Sequence, residues 1–182
     1  SLSRAADAIA MEPGRERFLK RALKPILSEY DFIVIDAPPS KGILTYNAIL
    51  AADLLVIPTE CTPKGVTGAV STAVLVQELE ELDFQVPRIL GIVPTRDAWA
   101  GANQTRISKA AITALKEALP EIHIFSSVRQ STVVQQTNHA GWSLLEAGEK
   151  SLAQPYIEAV DAIRKSRKLE VASLNFVNAS QK

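Results

Sequence analysis

Short apolar runs alternate along the chain with longer amphipathic stretches, and this alternation constrains the fold more than any other feature. The apolar runs lie at 32–35, 54–57, 88–93 and 122–125, and prolines follow the first three. Runs this short, rich in β-branched residues and ended by proline, are typical of strands buried on both faces. Helical patterns occupy about 15–29, 42–51, 65–82, 105–119 and 151–165. The sequence therefore predicts an α/β fold with a mostly parallel β-sheet flanked by helices.

The last predicted helix carries an apolar stripe that we expect to face the core. Neither an internal repeat nor a glycine- or proline-rich linker interrupts the chain, so residues 1–168 are predicted to form a single α/β domain. Residues 169–182 are predicted to be a tail, either a frayed end or a segment that docks on something outside this chain. The apolar stripe of the last predicted helix consists of Leu152, Tyr156, Ala159, Val160 and Ile163.

Composition excludes several classes of protein. The 182 residues include 20 basic and 20 acidic side chains, so a uniformly cationic nucleic-acid-binding chain is excluded. Cys61 is the single cysteine, which excludes an intrachain disulfide and zinc sites built from four thiolates. The longest apolar stretch, at 48–57, is interrupted by Asp53 and is shorter than the roughly 18 to 20 residues that span a bilayer. We expect a cytoplasmic protein without a membrane span.

Asp36 follows the first predicted strand directly, at the position where parallel sheets bind ligands. A carboxylate is costly to bury, so a polar partner is expected beside it. One candidate is a hard cation such as the magnesium of a bound nucleotide. The other is a helix cap or a set of backbone N–H donors, which is the commoner role for a lone Asp after a strand.

The sequence around Asp36 shifts this balance. Residues 30–40 read YDFIVIDAPPS, and Gly42, Leu44-Thr45, Asn47-Ala48, Ala51-Ala52-Asp53 and Ile57-Pro58 follow in order. This string resembles the ParA/MinD family of partitioning ATPases, and most closely its ParA branch, whose members read YDxIIIDxPPSLGxLTxNALxAADxVLIP there. Further along, GIVPTRD at 91–97 resembles the family's GVLxTxxD strand, and SVRQ at 127–130 resembles its last core strand.

The resemblance implies a deviant-Walker P-loop ATPase that acts in plasmid or chromosome partitioning. Such proteins form homodimers around two ATP molecules with Mg²⁺, bind DNA non-specifically in that state, and hydrolyse ATP when a ParB-type partner stimulates them. By the same resemblance, Asp36 orients magnesium through a water, and Pro38 and Pro39 shape the loop beside the γ-phosphate. Thr95 and Arg129 fall near the nucleoside. A family member that binds DNA would be associated with the nucleoid.

One departure from the family pattern concerns the phosphates. The family's KGGxGKT loop does not occur in these 182 residues, and the nearest string, Lys64 to Gly68, lacks the required glycine spacing and lysine. We therefore expect the chain to be the C-terminal portion of such an ATPase, incomplete at the N-terminus of the fold and unable to bind ATP productively by itself. Two alternatives stay open: a ParA-like binding or regulatory module without hydrolysis, and a related P-loop synthetase of the cobyrinate-amidating or dethiobiotin type.

Basic residues could supply a DNA-binding surface, although cations near a helix end also suit the helix dipole. The candidates are Arg106 and Lys109 on one predicted helix, and Arg164, Lys165, Arg167 and Lys168 at the end of another.

Overall fold

The structure, a computed structural model, describes residues 2–38 and 42–179. Seven α-helices and four strands occur in these ranges, together with 3₁₀ helices at Arg15–Arg17 and Lys24–Glu29. The helices are α1 (Leu2–Ala10), α2 (Phe18–Leu23), α3 (Ile43–Ala51), α4 (Pro63–Glu81), α5 (Arg106–Ala118), α6 (Thr132–Ala140) and α7 (Lys150–Ala179). The strands are β1 (Leu54–Glu60), β2 (Arg88–Thr95), β3 (Trp99–Ala100) and β4 (Asn103–Gln104).

Strands β1 and β2 pair with each other and run in the same direction. Arg88 N donates to Asp53 O at one end of the pair, and Cys61 N donates to Thr95 O at the other. On its other side β2 is bridged in parallel to Ile124 and, beyond its end, to Arg129 through Asp97. The predicted α/β fold with a parallel sheet flanked by helices is confirmed.

Prolines do not end these strands as the sequence predicts, because β1 continues through Pro58 to Glu60 and β2 through Pro94 to Thr95. A proline removes one donor from the ladder but keeps its carbonyl acceptor. Pro94 O accepts a hydrogen bond from Val128 N at 2.7 Å.

Contacts divide the chain into two compact units, and α4, β1 and β2 each contribute to both. The first unit comprises residues 1–55 and 74–88, and the second comprises 56–73 and 89–182. In the first unit, Ile49 and Leu50 of α3 and Leu75 and Leu79 of α4 are buried. In the second, Val93, Phe125 and Val128 form a core with Ala159. The prediction of one domain over 1–168 stays a prediction.

The run at 32–35 does not form the doubly buried strand that its sequence predicts. Residues 32–38 form neither a helix nor a strand, and Val34 is 91% exposed. Phe32 and Ile33 are exposed as well. A strand needs a neighbouring strand to satisfy its backbone groups and cover its side chains. Three of the four apolar side chains of this run are therefore exposed, whereas Ile35 is half-buried.

Helix α7 differs from its prediction in both length and orientation. Its backbone continues to Ala179, so the predicted end near Lys165 is too early and most of the predicted tail is helical. The predicted apolar stripe is wrong for two of its members, because Tyr156 and Val160 are 44% and 45% exposed. The stripe is confirmed at Ala159, which faces the core and packs with Val93 and Phe125. The small residue allows the helix backbone to approach the sheet closely.

Two elements of the second unit were not predicted from the sequence. Helix α6 lies outside the predicted helical patterns, and β3 and β4 form a short antiparallel hairpin with Trp99 opposite Gln104. Among the helices of the described residues, none combines the length and the hydropathy that a membrane crossing needs.

Candidate functional site

Asp36 and Pro38, the first two predicted site residues, lie in the segment before α3 that has no regular secondary structure. The Asp36 side chain is exposed, and Pro38 is half-buried. Pro38 O accepts a hydrogen bond from Thr45 Oγ1 at 3.2 Å, so the first turns of α3 hold the segment that carries Asp36. Pro39, the third predicted residue of this loop, lies outside the described residues.

Asn47 anchors α3 within the first unit. This side chain is 3% exposed, and both its nitrogen and its oxygen form hydrogen bonds. Its Nδ2 donates to Arg15 O at 2.7 Å and to Ile43 O at 2.8 Å, and its Oδ1 accepts from Leu19 N at 2.8 Å. The amide therefore fixes α3, which holds Pro38, to the 15–19 segment. In the sequence Asn47 is only one position of the family-like string, whereas in the structure it anchors α3.

Thr95, predicted to lie near the nucleoside, ends β2 in the second unit. Its Oγ1 donates to Thr59 O at 3.1 Å, which ties the end of β2 to β1. The next residue, Arg96, has a positive φ of 51° and forms an exposed ion pair with Glu60 at 3.3 Å. The chain therefore turns sharply after β2, at the carboxyl end of the sheet where parallel sheets bind ligands.

Asp97, which sequence reasoning did not single out, organises the residues after this turn. It is 1% exposed. Its Oδ2 accepts hydrogen bonds from Trp99 Nε1 at 2.9 Å and Ser127 Oγ at 2.6 Å, and its Oδ1 accepts from Gln104 Nε2 at 2.9 Å. One carboxylate thus joins the β3–β4 hairpin to the 127–130 segment. The sequence feature that could have identified Asp97 is its position at the end of the family-like string GIVPTRD.

The pKa of Asp97 is set by two opposing effects. Burial raises it, but the hydrogen bonds from Ser127, Gln104 and Trp99, together with Ser108, bring the pKa below its ordinary value. Asp97 is therefore ionised at neutral pH. Because its pKa is lower in the folded state, the stability that this network contributes is present above the unfolded pKa of about 3.9 and is lost as the pH falls through the folded value.

Arg129, the other residue predicted near the nucleoside, belongs to the same cluster. Its Nη2 donates to Gly101 O at 2.7 Å, and its Cζ lies 4.8 Å from the centroid of the Trp99 ring. Trp99 is itself 40% exposed, so the arginine and the indole form a stack at the surface of the second unit. The structure therefore joins Arg129 to residues that sequence reasoning did not combine with it.

Within the described residues, no group of three or more His, Cys, Asp or Glu side chains could hold a metal ion. Magnesium does not require such a cluster, because it retains waters and binds through one or two carboxylates together with nucleotide phosphates. The exposed carboxylate of Asp36 fits this chemistry. Asp97 does not, because protein donors already occupy its oxygens.

Cys61 does not fit a thiol-based reaction. It is 2% exposed, and burial together with the charge of Asp97 raises its pKa to about 12. The thiolate, which is the reactive form, is therefore absent at neutral pH.

The basic residues predicted for DNA lie on two helices of the second unit. Arg106 and Lys109 are exposed on α5, and Arg164, Lys165 and Arg167 are exposed on α7. The side chain of Lys168 lies outside the described part of the chain.

Comparisons with known proteins agree with this architecture. A family model described as an AAA domain matches residues 1–86. The chain is 36% identical over 162 residues to the Maintenance of carboxysome distribution protein A of Gloeothece citriformis (strain PCC 7424), and this alignment covers 89% of the chain and 63% of the relative. It is 38% identical over 92 residues to the Chromosome partitioning protein ParA of Myxococcus xanthus (strain DK1622), covering 49% of the chain and 32% of that protein.

A solved structure of a Cyanothece McdA variant in complex with ATP matches with a TM-score of 0.84 and 37% identity, covering 89% of this chain and 62% of that one. The chain thus spans less than two thirds of the length of these relatives. The parallel sheet and its flanking helices define a P-loop NTPase-like fold. Within that class, these similarities indicate the ParA/MinD family of deviant-Walker ATPases.

Proposed function

We propose that these residues form the magnesium-orienting and nucleoside-binding part of a ParA-type ATPase that positions a cellular cargo. The observation that carries the proposal is the similarity, over 89% of the chain, to a protein whose structure was solved with ATP. Asp36 is the acidic residue of the DxPP motif and its carboxylate is exposed, so it is accessible to a magnesium ion with its waters.

In this proposal each residue has a limited task. Asp36 orients the magnesium through a water, and the magnesium neutralises charge that develops on the phosphates. Pro38, which Thr45 holds at its carbonyl, and Pro39 shape the loop beside the γ-phosphate. Thr95 and Arg129 lie on the nucleoside side. Because phosphoryl transfer depends on positioning and charge, no covalent intermediate with the protein is needed.

The phosphates themselves need a cradle of backbone N–H donors, and the 182 residues contain no KGGxGKT string. Hydrolysis is therefore proposed for a gene product that combines these residues with such a loop. This feature also favours a second candidate, a ParA-like binding module that does not hydrolyse ATP.

Two kinds of cargo are compatible with the relatives. The alignment with a carboxysome distribution protein extends over 89% of the chain, whereas that with a chromosome partitioning protein extends over 49%. A carboxysome-like body is the candidate that the longer alignment favours, and a plasmid or chromosome is the other.

We further propose that the protein forms a homodimer and that this dimer binds non-specific DNA through the exposed cations of α5 and α7. A ParB-type partner is the proposed activator of hydrolysis.

The test is the Asp36→Ala variant of the complete gene product. We expect magnesium-dependent ATP turnover to fall by about 100-fold or more, because the metal would lose its orienting group. The free energy of unfolding should change by less than about 0.5 kcal/mol, because the side chain is exposed. Turnover would be followed by phosphate release and stability by urea denaturation.

Asp83→Asn serves as the matched control. Asp83 is exposed in the same unit and has a positive φ of 60°, which asparagine tolerates. Turnover should be unchanged in this variant. Unchanged hydrolysis in Asp36→Ala would refute the role of Asp36, and a complete gene product with no ATP turnover would support the binding module instead.

A further inference from the structure

We propose that Asp97 is a positioning residue, which fixes the Arg129–Trp99 stack in one orientation so that it can receive the nucleoside. The inference rests on the proposed function for the identity of the ligand. The positioning itself is a property of the chain without nucleotide and is tested separately below.

The first step is that Asp97 cannot contact a ligand directly. Its carboxylate is 1% exposed and accepts three short hydrogen bonds from Trp99, Gln104 and Ser127. A carboxylate whose oxygens are occupied and buried has no free site for a metal, a ribose hydroxyl or a base edge. Its effect on a ligand must pass through the residues that it holds.

The second step is that Asp97 holds the backbone on both sides of Arg129. Asp97 N donates to Val128 O at 3.0 Å, and Gln130 N donates to Asp97 O at 2.8 Å. The Arg129 backbone is therefore fixed relative to Asp97, whose side chain also anchors the adjacent Ser127.

The third step is that Asp97 also fixes the surface on which the Arg129 side chain rests. The indole of Trp99 is oriented by its hydrogen bond to Oδ2, and Gln104, directly opposite Trp99 in the hairpin, is held by Oδ1. Arg129 then spans the hairpin, stacking on Trp99 and donating to Gly101 O. The same residue thus sets both, because its backbone holds the backbone of Arg129 and its carboxylate holds the surface on which the arginine rests.

A planar guanidinium held on an indole presents a flat, cationic surface, and heteroaromatic rings stack favourably on such a surface. Because the pair is already held in one orientation, less side-chain conformational entropy is lost when the nucleoside binds. We therefore expect Asp97 to contribute to nucleotide affinity rather than to the chemical step.

The first experiment uses Trp99 as a fluorescent reporter. Trp142, the second tryptophan, is 60% exposed in the loop before α7 and can be replaced in a Trp142→Phe background. In that background, Asp97→Asn should shift Trp99 emission to the red and raise its acrylamide quenching constant at least twofold. Asp161→Asn, a change at an exposed position of α7, should leave both unchanged.

A double-mutant cycle separates positioning from general stabilisation. If Asp97 acts through the stack, Asp97→Asn and Arg129→Met each increase quenching, and the double variant increases it no further than the larger single effect. Additive effects, or unchanged Trp99 quenching in Asp97→Asn, would overturn the proposal. Should Asp97→Asn fail to fold, Gln104→Leu replaces it, because this change removes one donor and keeps the carboxylate.

The second experiment connects positioning with the nucleotide. In the complete ATPase, Asp97→Asn should raise the KM for ATP about tenfold and leave kcat within twofold, because the stack contributes to binding and not to phosphoryl transfer. A lower kcat with unchanged KM would mean fewer folded molecules and would overturn the positioning role. If the fluorescence results hold but the wild-type gene product shows no ATP turnover, the proposed function fails and the positioning role stands.

Discussion

Gly65, at the start of α4, lies against the carbonyl of Glu60 at the end of β1. A Cβ on Gly65 would overlap Glu60 O and would lie 3.0 Å from Glu60 C and 3.1 Å from Glu60 N. The turn between β1 and α4 is also held by Thr59 Oγ1, which donates to Gly65 O, and by Thr62 Oγ1, which accepts from Gly65 N. Because these atoms belong to backbone, they cannot move away without breaking this turn.

We therefore expect Gly65→Ala to destabilise the protein by about 1–3 kcal/mol through overpacking. Gly68→Ala is the control in the same helix, because a Cβ there would meet no atom within 4 Å. That change should stabilise the protein by about 0.5–1 kcal/mol, since alanine favours the helix over glycine. Urea denaturation measures both, and a neutral or stabilising Gly65→Ala would contradict the close approach.

The site residues illustrate what a sequence can predict at this scale. Asp36 was found because a charge directly after an apolar strand is unusual and lies within a long family-like string. Asp97 was missed because its importance comes from three partners between 2 and 30 positions away, and no local pattern marks them. A residue's hydrogen-bond partners depend on the fold, and the fold of this region includes an unpredicted hairpin.

At the scale of elements, α7 shows the limit of hydrophobic patterns. Apolar residues at helical spacing indicate a helix correctly, but two neighbouring faces of α7 are both apolar. The predicted stripe combined Ala159 with the larger Tyr156 and Val160. The structure buries Ala153 and Ala159 and leaves Tyr156 and Val160 partly exposed, because close packing against the sheet favours small side chains.

The orientation of α7 predicts that substitutions at Ala159 and Val160 change the free energy of unfolding by different amounts. Ala159→Leu should destabilise the protein by about 1–3 kcal/mol, because extra methylenes would enter the core beside Val93 and Phe125. Val160→Gln should change the free energy of unfolding by less than about 0.5 kcal/mol, since the side chain is 45% exposed. Chemical denaturation of both variants decides the orientation, and the reverse order would mean that α7 packs through its large residues.

The alternation of strands and helices was the most reliable prediction for the whole molecule. It predicted β1, β2 and the helices around them, because each element satisfies a periodicity that is local to the sequence. It failed at 32–35, where the local sequence favours a strand but the described residues supply no neighbouring strand. Strand propensity describes how well a residue fits into a sheet, but a strand forms only where a neighbouring strand pairs with it.

We therefore expect a substitution in the run at 32–35 to have different effects in the 182-residue chain and in a longer gene product. Expressed as these 182 residues, the protein exposes the apolar side chains of Phe32, Ile33 and Val34, which favours association through this segment. Val34→Lys should lower the binding of a hydrophobic dye at least twofold and reduce concentration-dependent self-association, with little effect on stability, because Val34 is 91% exposed. Ile107→Lys on α5, at a position 64% exposed outside this run, is the control and should lower dye binding less.

In a longer gene product we expect, from the family resemblance, that the same run is a core strand, and the effect of Val34→Lys on stability would then be large. There Val34→Lys would bury an unpaired charge and strongly destabilise the protein, whereas Ile107→Lys would not. Urea denaturation of the two variants in both contexts tests this directly. If Val34→Lys is equally harmless in both, the run at 32–35 is not a strand of the nucleotide-binding sheet, and Asp36 is not placed at the end of one.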